Sequence, residues 1–143
     1  MSAILHGLGT MLFLISITVC GISDYRKRII PNLAVSAILL AAALNILSVT
    51  SLFDVISRGV MAVSTLLLLL PWKRGLIGGG DVKLLFACAA HFNILGFTLT
   101  LIPAAVCSAV FSLVSKKKVG AVAFGAWYAP FAAVMAILME VIF

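Results

Sequence analysis

The fold class this sequence predicts is an all-α, polytopic membrane protein with six transmembrane helices, and three observations predict it. Of its 143 residues, 64% are hydrophobic and 10% charged, against the ~45–50% apolar usage of soluble domains. So little polar surface cannot clothe a soluble fold of this size. Apolar runs alternate with short polar segments at intervals that suit the ~20 residues of a membrane-crossing helix. Basic residues also collect in alternate loops, as they do where a chain is threaded through a bilayer. A single domain over residues 1–143 is expected, with no separate soluble module.

Residues 3–22 form the first apolar stretch, which ends at Ser23 and Asp24 before Arg26, Lys27 and Arg28. No basic segment precedes it and further spans follow, so it reads as a retained helix rather than a cleaved signal. Ile29-Ile30-Pro31-Asn32 opens the second span, residues 33–47, and Pro31 suits a first helical turn, where its missing N–H has no partner to lose. A polar turn over 48–54 leads into a third span ending at Pro71, followed by Trp72-Lys73-Arg74-Gly75. Gly78, Gly79 and Gly80 propagate a helix poorly, so the fourth helix is expected to start at about Asp81. Residues 82–114 are apolar apart from His91, Asn93, Gly96 and Pro103. A turn at His91–Asn93 leaves the fourth helix about ten residues, or ~15 Å, long. That is short of the ~30 Å hydrocarbon core. Either the turn lies nearer Gly96, or the helix is short and ends within the protein; both readings are open. Lys116, Lys117 and Lys118 precede the last span, residues 119–143.

With six crossings, nine of the ten basic residues share one side. The rule that positive loops stay inside then makes the loops carrying Asp24 and Asp81 cytoplasmic and puts both termini outside. Arg58 alone dissents, and it lies one helical turn from Asp54 as a candidate partner. The net charge of +6 is thus a topology signal rather than a nucleic-acid footprint. Cys20, Cys88 and Cys107 stand singly in apolar runs and read as small core residues, with no metal site or disulfide framework. His6 and His91 fall on the outer side and read as interfacial polar residues. Trp72 suits interfacial anchoring or helix packing.

Only four residues are acidic: Asp24, Asp54, Asp81 and Glu140. Asp54 and Glu140 fall at outer ends. Asp24 and Asp81 both fall at inner ends, the first leaving helix one and the second beginning helix four. Two carboxylates at one depth are what water-activating acid–base chemistry requires, because close like charges cannot both ionise cheaply and one keeps its proton. Such a pair titrates as a coupled unit. Gly78 to Gly80 would leave a side-chain-free backbone beside it, open to an extended peptide. The plainer reading of Asp81 is a helix cap behind a flexible loop.

Asp24-Tyr25-Arg26-Lys27-Arg28-Ile29-Ile30-Pro31-Asn32, taken together with Gly78-Gly79-Gly80-Asp81-Val82-Lys83, resembles the type IV prepilin peptidase family, intramembrane aspartic proteases of the G-x-G-D type. The resemblance puts Asp24 and Asp81 at the catalytic positions, Gly78, Gly80 and Lys83 at the rest of the second motif, and Pro31 and Asn32 at the close of the first. Gly79 fills the variable position, and Asn32 is expected either to orient Asp24 or to cap a helix. Phe124-Gly125-Ala126 resembles the family's Phe-Gly-Pro, with Ala126 replacing the proline. The paired CxxC motifs and N-terminal insertion of the larger, methylating members are absent. The chain is therefore similar to the short forms that serve Flp/Tad-type pili or archaeal flagellins.

What the resemblance implies is removal of a short basic leader from Flp-like prepilins at the cytoplasmic face of the inner membrane, without N-methylation. Asp24 and Asp81 would activate the water, and no metal or organic cofactor is needed. The implied partners are the prepilin, with its basic leader and hydrophobic helix, and membrane lipid around the basic loops. The alternative is a small proton- or cation-coupled transporter using the same aspartates.

Overall fold

Long apolar runs fold into helix after helix in the computed structural model, which describes residues 2–48, 51–74, 77–114 and 124–142. The order is α1 (Ser2–Lys27), α2 (Asn32–Ser48), α3 (Leu52–Thr65), α4 (Leu69–Lys73), α5 (Gly79–His91), α6 (Ile94–Val114) and α7 (Phe124–Ile142). A 3-10 turn over Leu66–Leu68 joins α3 to α4, so Leu52–Lys73 runs as one rod and the described residues hold six helical segments. Three of them, Ile4–Lys27, Leu52–Lys73 and Ile94–Val114, are long and apolar enough to cross a membrane. The Lys116–Lys118 cluster lies outside the described residues.

α1 packs against α2 and α7, α2 against α5, α5 against α3, and α7 against α6. α5 sits at the centre. Seven of its residues, among them Leu84, Leu85, Ala87 and Cys88, are buried, as expected of a helix that is apolar all round. The core continues through Phe13, Ile17, Ile38 and Tyr128, all fully enclosed. The outer face of α1 is the reverse: Leu8, Met11, Ile15, Val19 and Ile22 are 46–69% exposed. Water would penalise such a stripe, whereas lipid would solvate it.

The break between α5 and α6 falls at Phe92–Asn93, not at Gly96. Asn93 Oδ1 accepts the Gly96 N–H at 2.9 Å, the N-cap geometry in which a side-chain oxygen satisfies an orphan donor three residues on. α5 is thus only 13 residues, or ~20 Å, and both His91 and Phe92 at its end are buried. Protein surrounds that helix end, the setting in which irregular backbone is tolerated within a membrane protein.

That end is held by a polar cluster that replaces the interfacial role expected of the histidines. His6 Nδ1 meets Asn45 Oδ1 at 3.1 Å, and Asn45 Nδ2 lies 3.4 Å from His91 Nε2. The His91 ring stacks on Phe13 with centroids 3.9 Å apart. The Arg58 guanidinium donates to the His91 carbonyl, with Asp54 near enough to act on it by charge. The expected partner of Arg58 therefore contributes at a distance while the direct bond goes to the end of α5, where a cation complements the exposed carbonyls. Arg58→Met is expected to cost about 2 kcal/mol, the usual worth of a hydrogen bond to a charged group. Thermal unfolding of the purified protein in detergent reads this as a lowered Tm.

α1 runs through Asp24 to Lys27 rather than stopping at Ser23. Its 26 residues measure ~39 Å, longer than a ~30 Å hydrocarbon core. A crossing that starts at its N-terminal end leaves the last turn, with Asp24, beyond the hydrocarbon.

Candidate active site

The site forms where the C-terminal end of α1 meets the N-terminal ends of α2, α5 and α7. α1 closes with Arg28, whose N–H returns to the Asp24 carbonyl at 3.0 Å. Arg28 has φ 56°, a left-handed conformation that costs a non-glycine residue ~1 kcal/mol. It turns the chain sharply, and the Ser23 hydroxyl ties the turn down by donating to the Ile29 carbonyl at 2.8 Å. Ile30, 8% exposed, is thereby driven inward between the starts of α5 and α7. Pro31 is the last residue before α2 rather than part of its first turn, and its carbonyl accepts the Val35 N–H.

Asp24 is only 5% exposed. Its Oδ2 accepts the Ala126 N–H at 3.1 Å, and the Gly125 N–H also faces the carboxylate. These are orphan donors in the first turn of α7, where no intrahelical acceptor exists. A Cβ on Gly125 would lie 2.9 Å from Asp24 Oδ2 and 3.2 Å from Ile30 Cδ1, so only glycine leaves this approach open.

The second aspartate is seated on its own helix start. α5 begins at Gly79 with Gly78 as N-cap, two residues earlier than expected, so Asp81 is the third helical residue and not the cap. Its N–H bonds the Gly78 carbonyl at 3.1 Å, and its carboxylate accepts from the Gly78 backbone in return. This is the back-bonding half of a capping box, run by aspartate. At 13 residues α5 is shorter than a ~30 Å hydrocarbon core, and Asp81 stands in its first turn. Burial, and then the Asp24 carboxylate, push the Asp81 carboxyl up to about 6, with the Gly78 N–H opposing them. The two groups are therefore close enough to titrate as a pair.

The glycines expected to admit a substrate backbone instead admit the protein's own side chains. A Cβ on Gly79 would meet Trp72 Nε1 at 2.9 Å, one on Gly80 would meet Ile30 Cβ at 3.3 Å, and one on Gly78 would meet Asp81 Oδ2 at 3.0 Å. Trp72 is thus a packing residue over the motif. Asn32 neither orients Asp24 nor caps α2. As the first residue of α2, it accepts from Lys83 Nζ through Oδ1 at 3.2 Å and so ties the end of the first motif to the second. Gly125 and Ala126 carried only a weak signal in sequence, yet they make the most direct contact with Asp24.

Beside Asp24 a groove of about 500 Å³ opens between α1 and α7, lined by Gly21, Ile22, Tyr25, Arg26, Ala126 and Ala129 among others. The assembly therefore offers two neighbouring carboxylates, one buried and one half-buried, with a largely apolar groove close by. Such a pair can activate a water and protonate a leaving group.

A family model described as the type IV leader peptidase family matches residues 11–113, which include every site residue above except Gly125 and Ala126. No curated protein and no solved structure matches the chain.

Proposed function

We propose that this chain, which belongs to the type IV leader peptidase family, is an aspartic endopeptidase that uses Asp24 and Asp81 as its catalytic dyad. The observation that carries the reading is the meeting of the two motif aspartates at one end of the bundle. Each is fixed by backbone N–H groups at a helix start, and the charge of one reaches the other.

In this mechanism a water sits between the carboxylates. Ionised Asp24 removes a proton from it while the oxygen attacks the scissile carbonyl carbon, and protonated Asp81 donates to the carbonyl oxygen. Collapse of the tetrahedral diol breaks the C–N bond as one of its hydroxyls returns a proton to Asp81 and Asp24 passes its proton to the leaving amine. Two neighbouring carboxylates sharing one proton suffice for each step, without a metal.

The substrate is a Flp-like prepilin whose hydrophobic helix lies in the bilayer, so that its leader junction reaches the site at the cytoplasmic face of the inner membrane. The groove beside Asp24 supports such a lateral approach. As a multi-pass protein of one domain with the basic loops inside, the enzyme would meet anionic lipid through Arg26, Lys27 and Arg28. With no second site for a methyl donor among its motifs, it would leave the new N-terminus unmethylated. Nothing in the fold favours the transporter reading.

The test is reconstitution of the purified chain in liposomes with an Flp-type prepilin, with mass spectrometry of the product. The expected product is the mature pilin with a free, unmethylated N-terminal amine. An intact precursor would refute the peptidase reading, and a methylated product would refute the single activity.

A further inference from the structure

We propose that the backbone N–H of Ala126 is a positioning group of the dyad, which holds Asp24 as the carboxylate that ionises first. This rests on the aspartic peptidase reading and adds to it the group that fixes which of the two acids acts as base.

The geometry is local and specific. Ala126 N lies 3.1 Å from Asp24 Oδ2, and Ala126 is the third residue of α7, within the turn whose N–H groups have no helical acceptor. Gly125, having no Cβ, lets the carboxylate reach that donor; a Cβ there would lie 2.9 Å from Oδ2. A donor aimed at a carboxylate favours its charged form, and the positive end of α7 acts in the same sense.

The other groups facing Asp24 come from three directions. Cys20 and Arg28 belong to its own segment, as their charge interactions with it record. Asp81 faces it from α5. α2 contains no titratable residue, and α7 offers backbone N–H groups. Burial is the largest influence on both carboxylates and opposes their charged forms; at Asp24 two backbone donors and a neighbouring guanidinium work against it, whereas at Asp81 one backbone donor does. The asymmetry makes Asp24 the base and Asp81 the acid.

The sequence gives this position further meaning. Phe124-Gly125-Ala126 departs from Phe-Gly-Pro at its last residue, and proline has no N–H to donate. At this position alanine supplies a bond to the catalytic carboxylate that proline cannot.

The experiment is the pH profile of kcat/KM for leader cleavage by the reconstituted full chain. Wild type should give a bell whose acidic limb reports the first ionisation of the dyad. Ala126→Pro removes the donor and should move that limb to higher pH by about one unit. Gly125→Ala pushes the carboxylate off the same donor and should move it the same way, which secures the test if the proline variant does not fold. Ala126→Ser keeps the N–H and should leave the limb in place, whatever it does to the rate. Limbs of Ala126→Pro and Gly125→Ala that coincide with wild type, in active enzymes, overturn the role of Ala126 and leave the peptidase reading standing. Wild type that cleaves no prepilin at any pH overturns both.

Discussion

Asp24→Asn and Asp81→Asn should each abolish leader cleavage, with a fall in kcat of about a thousand-fold or more, the scale of lost acid–base catalysis. Asparagine keeps the size of aspartate and a carbonyl oxygen, so Ala126 in the first case and Gly78 in the second retain an acceptor. What is lost is the capacity to hold or release a proton. The Asp81 variant should also differ from wild type in stability. The Asp81 carboxyl rises on folding from its ordinary 3.8 to about 6. An acid raised in this way leaves stability intact below its unfolded value and erodes it as the pH rises towards the folded one. Wild type should therefore lose Tm between about pH 4 and pH 6, and Asp81→Asn should show a smaller loss. The inactive Asp81→Asn protein would be the more heat-stable at pH 8, an advantage that disappears at pH 4. Liposome cleavage assays and Tm measured across pH check both halves. Residual cleavage near the wild-type rate in either variant would remove that residue from the dyad.

The candidate site was legible in sequence before its packing was. Asp24 and Asp81 stand out because carboxylates are rare in a chain this apolar and because both fall at span ends. The helical class follows from hydropathy, whereas hydropathy leaves the fourth helix open between a turn at His91–Asn93 and one nearer Gly96, and the Asn93 cap decides it. What the sequence could not disclose depends on partners distant along the chain. Trp72 over Gly79, Ile30 against Gly80 and Arg58 on the His91 carbonyl each join segments with no shared local pattern. The glycines illustrate the difficulty. A missing Cβ announces that something approaches closely, and only the fold reveals that it is the protein's own side chain. The extra turn of α1 was hidden for another reason: Arg28 at positive φ ends the helix where glycine or asparagine would be expected.

The contact that should prove least tolerant of change lies one turn above the dyad. A Cβ on Gly21 would sit 2.6 Å from the Ala129 Cβ, so α1 and α7 touch nearly backbone to backbone, in the manner of small-residue packing between membrane helices. Gly21→Ala must push the helices apart, at a cost of about 1–3 kcal/mol for overpacking. The displacement reaches function because α7 carries the N–H groups of Gly125 and Ala126 that hold Asp24. Drawing them back should lower cleavage by about ten- to a hundred-fold, since small misplacements of catalytic groups have effects of that order. Ala129→Gly removes the opposing methyl, so the double variant Gly21→Ala/Ala129→Gly should recover both Tm and most of the activity. A double-mutant cycle in Tm and kcat measures the coupling directly. Additive losses from the two single substitutions would show that the α1–α7 approach is not what positions Asp24.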